Sequence, residues 1–150
     1  MKIVLGKKEL RKKTKPVDLS EGLEIGKDLL KIINEHGNAI GLAANQIRID
    51  KRVCVVNVIK PIILVNPEIT GKFGKIEYTE GCLSFPGEII KTTRYSNIVV
   101  RDTNNGTVVY EPKDAEHLLE IVCIQHEIDH LNGIVMHDRQ VADIDLATII

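Results

Sequence analysis

The spacing of apolar residues changes period twice along the chain. Over residues 20–36, Leu23, Leu29, Leu30, Ile32 and Ile33 recur at roughly helical intervals, and Gly37 stands where a helix end favours a left-handed residue. This predicts a first helix. Residues 52–58, 62–65 and 75–78 are instead rich in β-branched side chains, and "NIVVRDTNNGTVVYE" reads as a hairpin turning near Asn105-Gly106. The middle of the chain is therefore expected to be sheet.

After Pro112 the helical period returns with two apolar faces. Leu119, Val122, Cys123, His126 and His130 fall on one stripe, and Ile121, Ile124 and Ile128 form a second on roughly the opposite side. A helix apolar on two sides is expected to be buried on both. The predicted fold is α+β: a central C-terminal helix enclosed by antiparallel sheets, with the N-terminal helix packed outside. No repeat, low-complexity tract or Gly/Ser linker divides the chain, so residues 1–150 read as one domain.

Composition narrows the function classes. The three cysteines, Cys54, Cys82 and Cys123, are odd in number and widely spaced, which fits a reducing cytoplasm better than a disulfide scaffold. A formal charge of -1 gives no global attraction to nucleic acid, and the basic run of residues 7–15 reads as a solvated surface. With two Phe, three Tyr and no Trp there is little to stack on bases, so no specific nucleic-acid partner is expected. No apolar stretch approaches the length of a membrane span, and the N-terminus does not read as a signal peptide.

The candidate chemistry lies in three short stretches. In "QHEIDHLNG", residues 125–133, His126 and His130 project one turn apart from the same face and can reach one cation. Glu127 is turned about 100° from His126, where a general base for an activated water must stand. Two ordinary helix histidines are the bland alternative, yet this composition yields the pattern by chance with a probability on the order of 1%. A catalytic site needs a third protein ligand. His36, His117 and His137 are available, but "EGCLSFPG", residues 80–87, sets Cys82 on a shaped turn. The third stretch, "AIGLAANQI", residues 39–47, combines small residues that admit close backbone approach with the donor amide of Gln46.

Taken together, "GLAANQ", "EGCLS" and "QHEIDHL" resemble, in order and separation, the three motifs of the peptide deformylases, and "LRKKTKPV" at residues 10–17 resembles that family's N-terminal segment. The resemblance implies that Cys82, His126 and His130 bind a metal and that Glu127 is the acid/base. It further implies oxyanion donors at Gln46 and the Leu83 backbone N–H, with Gly41 completing the catalytic group. The expected reaction removes the formyl group from the N-terminal formylmethionine of nascent peptides. The expected cofactor is one divalent ion, Fe2+ natively, with Zn2+, Ni2+ or Co2+ able to substitute. Ile40, Gly41 and Gly81 would let an extended peptide lie along the backbone, and Leu119, Val122 and Cys123 would line a pocket for the methionine side chain.

Three departures accompany the resemblance. Ala39 stands where the family usually has glycine, and Asn45 where it often has threonine. Only 20 residues follow His130, whereas typical bacterial members continue into a long C-terminal helix associated with ribosome contact. The tail "VADIDLATII" resembles the compact forms, including phage-encoded ones, which puts ribosome docking in doubt. The expected compartment is the cytoplasm of a bacterial cell, or of an infected host cell. Two rival readings are a zinc metallopeptidase, which shares HExxH, and a non-catalytic metal-binding domain.

Overall fold

The structure, a computed structural model, describes residues 3–37 and 39–141. The tail at residues 142–150 lies outside the described residues. Two helices and six strands occur in the order α1 (Leu19–Glu35), β1 (Gly41–Ala43), β2 (Val53–Asn57), β3 (Pro61–Val65), β4 (Glu68–Glu80), β5 (Ile90–Asp102), β6 (Gly106–Tyr110) and α2 (Ala115–Leu131). The strands form two antiparallel sheets, β1-β2-β3 and β4-β5-β6.

The first sheet is covered on both faces, and strand alternation decides which side chain meets which helix. Val53, Val55 and Val65 join Ile25, Leu29, Ile32 and Ile33 of α1 in the outer cluster. Their neighbours Cys54, Val56 and Leu64 join Ile121, Ile124 and Ile128 of α2 in the inner one. Burial on both faces is why residues 53–56 are apolar without alternation. The second sheet closes over α2 with Ile98 and Val100, so the last twelve residues of α2, Glu120 to Leu131, are all buried. Each fully buried aliphatic side chain contributes about 1.5–3 kcal/mol, whereas an exposed ion pair such as Lys27–Glu24 is worth at most about 1 kcal/mol. Packing therefore holds α2 in place.

Helix α1 starts where the Asp18 side chain accepts the Glu21 N–H at 2.9 Å. It approaches β3 through glycines: a Cβ on Gly22 or Gly26 would lie 2.6 Å from Val65 or 2.4 Å from Ile63. The N-terminal segment ties the stretch at residues 80–87 to that at residues 39–47, with Val4 N–H donating to the Gln46 carbonyl (2.7 Å) and Gly6 N–H to that of Ser84 (2.9 Å).

Strand β4 is far longer than the expected residues 75–78. It is an edge strand, largely exposed, and Gly71, Lys72 and Gly74 interrupt the apolar alternation on which strand assignment depends before it resumes at residues 75–78. The hairpin is also longer than expected, since β5 begins at Ile90.

Candidate active site

Three backbone features converge. Helix α2 carries His126, Glu127 and His130, which are buried; the loop at residues 81–89 between β4 and β5 carries Cys82; and β1 with the 3-10 turn Ala44–Ile47 carries Gly41 and Gln46. His126 Nε2 lies 3.2 Å from His130 Nε2, which is 3.4 Å from Cys82 Sγ. Among the described residues this trio is the one group of at least three His, Cys, Asp or Glu side chains placed to share an ion, its donor atoms lying within 4.8 Å of one another. The histidines left open as third ligands are engaged elsewhere or exposed: His117 with Asp114 (2.7 Å), His137 with Glu88 (2.9 Å), and His36 at the end of α1.

A divalent ion fits this donor set. Bonds of about 2.0–2.1 Å to nitrogen and about 2.3 Å to sulfur at tetrahedral angles separate two nitrogens by about 3.3 Å and nitrogen from sulfur by about 3.6 Å. The observed 3.2 and 3.4 Å are close to those values. His126 is oriented by Glu80, whose Oε1 lies 2.7 Å from Nδ1 and leaves Nε2 facing the site. Burial alone would favour the neutral ring, but the Cys82 sulfur and the Glu80 carboxylate raise the His126 pKa well above its ordinary value. That proton is the one a bound cation would displace. Burial, with the positive charges of His126 and Arg94, keeps His130 neutral and free to ligate.

Glu80 belongs to a buried charge network that sequence reasoning missed. Arg94, 2% exposed, donates to both Glu80 oxygens (2.6 and 2.8 Å) and to Asp129 (2.6 Å), and Arg139 donates to both oxygens of Asp129. Thr92 donates to Glu80 as well. Although burial pushes the Glu80 carboxyl upward, Arg94 and His126 bring its pKa down to about 2. The available signal was the alternation of β5: Thr92, Arg94, Ile98 and Val100 share its buried face, so a charge at position 94 demanded a partner.

A cleft of about 590 Å³ opens beside the trio. Glu127, Gln46, Cys82, Leu83 and His126 line it, while His130, 1% exposed, lies behind. All six positions expected to hold the peptide, Ile40, Gly41, Gly81, Leu119, Val122 and Cys123, also line the cleft. Both edges of the cleft are sheet edges, since β1 and β4 are each outermost in their sheets. Burial raises the Glu127 pKa to about 7, and its Oε1 has no hydrogen-bond partner among the described residues. Gln46 is fixed at both ends, its Oε1 accepting from Ala43 N–H (2.9 Å) and its Nε2 donating to Ser84 Oγ (3.0 Å).

Gly41 has a steric reason to be glycine. A Cβ there would lie 2.6 Å from Glu127 Oε2 and 2.7 Å from Cys123 Sγ. Gly41→Ala is expected to push the carboxylate aside and lower kcat by about 10²-fold with metal content unchanged. Steady-state kinetics with metal analysis check this; a rise in KM alone would confine Gly41 to peptide contact.

A sequence model of the family described as polypeptide deformylase matches residues 2–144. The chain belongs to the peptide deformylase family. It is similar to the peptide deformylase of Hydrogenovibrio crunogenus, 42% identical over 142 residues that cover 87% of this chain and 79% of the relative. Among solved structures it is similar to the deformylase of the Vibrio parahaemolyticus bacteriophage VP16T in complex with actinonin, with TM-score 0.74, 32% identity and coverage of 90% and 99% of the two chains. The Thermotoga maritima deformylase matches with TM-score 0.77 and 33% identity over 94% of this chain and 97% of that one. As a peptide deformylase the protein is a metal-dependent hydrolase that removes the N-formyl group from formylmethionyl peptides. The metallopeptidase and non-catalytic readings are set aside.

Proposed function

We propose that Cys82, His126 and His130 hold the catalytic ion, natively Fe2+, and that Glu127 moves the proton. The observation that carries this reading is the convergence of the three donor atoms beside a cleft lined by the buried carboxylate of Glu127. When bound, such an ion supplies Lewis acidity and makes water acidic enough to be a nucleophile near neutral pH. One thiolate with two imidazoles suits iron or zinc, and Ni2+ or Co2+ could substitute.

The chain's own groups then divide the work. A peptide strand lies between β1 and β4, with the methionine side chain against Leu119, Val122 and Cys123. Glu127 accepts the proton of the attacking water; with a pKa near 7 it can hold that proton and return it to the leaving amine. Gln46 Nε2 and the Leu83 N–H donate to the oxygen that gains charge as the carbonyl is attacked. The Gln46 donor need not reorganise, because Ala43 and Ser84 already fix its amide.

Gln46→Glu keeps the shape and the acceptor facing Ala43 but removes the donor. It is expected to lower kcat by about 10²–10³-fold with metal retained. An unchanged kcat would remove Gln46 from the oxyanion site. The reading as a whole is tested by formate release from a formyl-Met peptide, run beside digestion of an unformylated peptide. Formate without internal cleavage is expected; cleavage without formate contradicts it. The proposed compartment is the cytoplasm: Cys54 and Cys123 are buried free thiols, and no described helix is long and apolar enough to cross a membrane.

A further inference from the structure

The two histidines of the trio are held in different ways. His126 is gripped through its ring by Glu80, but His130 Nδ1 is buried with no partner among the described residues. Outside the trio, the hydrogen bonds of His130 are made by its backbone. His130 stands one residue before the end of α2, where terminal carbonyls lack intrahelical partners and need donors from elsewhere. The next carbonyl, that of Leu131, accepts from Thr14 N–H (2.9 Å), Thr14 Oγ1 (3.0 Å) and Arg52 (2.9 Å). The His130 carbonyl accepts from Gly133 N–H at 3.1 Å and, more tightly, from the side-chain amide of Asn45 at 2.7 Å.

Asn45 comes from the same 3-10 turn as Gln46, and its neighbours in that turn are all buried. Gln46 Nε2 reaches Ser84 Oγ and lies 3.6 Å from Cys82 Sγ. One turn thus contacts the Cys82 loop through position 46 and the His130 backbone through position 45. We infer that Asn45 is a positioning residue for the metal site, setting His130 against Cys82 by its hydrogen bond to the His130 carbonyl. It does for His130, through the main chain, what Glu80 does for His126 through the ring. This rests on the reading of Cys82, His126 and His130 as ligands.

The test follows zinc release to excess chelator from the full-length zinc protein for wild type, Asn45→Ala and His130→Ala, with melting temperatures of the metal-free forms. Loss of a partner that orients a ligand typically costs 10–100-fold in metal affinity, so Asn45→Ala is expected to release zinc about 10–100-fold faster than wild type. Its metal-free melting temperature should fall by no more than about 4 °C, the effect of one hydrogen bond in a chain of this size. A folded Asn45→Ala that releases zinc at the wild-type rate overturns the inference. Should it not fold, Asn45→Ser, whose hydroxyl is too short for the same contact, carries the comparison with the same two outcomes. If wild type and His130→Ala hold zinc equally, the ligand reading itself fails and takes the inference with it. A difference between those two without one at position 45 overturns the inference alone.

Discussion

Glu127→Gln is expected to lower deformylation by about 10²–10⁴-fold, the usual contribution of a positioned general base, while the protein keeps one metal per chain. The carboxylate lines the cleft but is not among the three converging donors, so chemistry and metal retention separate at this position. The glutamine retains the volume but cannot accept the proton of an attacking water. Folding should not suffer, because the native carboxyl is buried with Oε1 unpartnered and its ionised form is disfavoured there. Pre-steady-state deformylation, metal content and melting temperature measured on one preparation check the three statements together. Metal loss in step with activity would make Glu127 a ligand or a prop for one, and would remove it as the base.

Much of this site could be read before any coordinates, for reasons that differ by element. The two apolar stripes of α2 required burial on both sides, and Glu120 to Leu131 are all buried, with Val56 and Leu64 of the first sheet and Ile98 and Val100 of the second in one cluster with Ile121, Ile124 and Ile128. The ligand face was legible because His126 and His130 continue one of those stripes. Cys82 was legible only through its motif, since a lone cysteine on a turn carries little information by itself. Strand β1 could not be read, being three residues of Gly, Leu and Ala without β-branching, and β4 was legible only over residues 75–78, because its largely exposed first half, interrupted by Gly71 and Gly74, carries no sustained alternation. Glu80 and Arg94 were missed because a charge in a single sequence reads as solvent-facing by default; the alternation of β5 could have marked Arg94 as buried, but its pairing with Glu80, and Glu80's with His126, shows only in the fold. The glycines at 22 and 26 were likewise silent, since their role is the proximity of β3.

The second large effect is expected at Cys82. Its sulfur is one of only three converging donors, and removing it deletes both a bond and a negative charge from the metal site. His126 and His130 remain, supported by Glu80 and by the packing of α2, so the fold should persist while the ion does not. With iron the effect should appear without any mutation as well, since an accessible ferrous site with a thiolate ligand is open to oxygen. Protein prepared in air is therefore expected to carry zinc or nickel, or to lose activity with time.

The most direct measurement is metal content by mass spectrometry in parallel with formate release from a formyl-Met peptide, for wild type and Cys82→Ala, both prepared and loaded with Fe2+ without oxygen. Wild type should carry about one iron per chain and release formate, and Cys82→Ala should retain little iron and almost no activity. Stoichiometric iron with near-normal turnover in Cys82→Ala would show that the loop between β4 and β5 is not the third arm of the site, and would contradict the metal centre proposed for this deformylase.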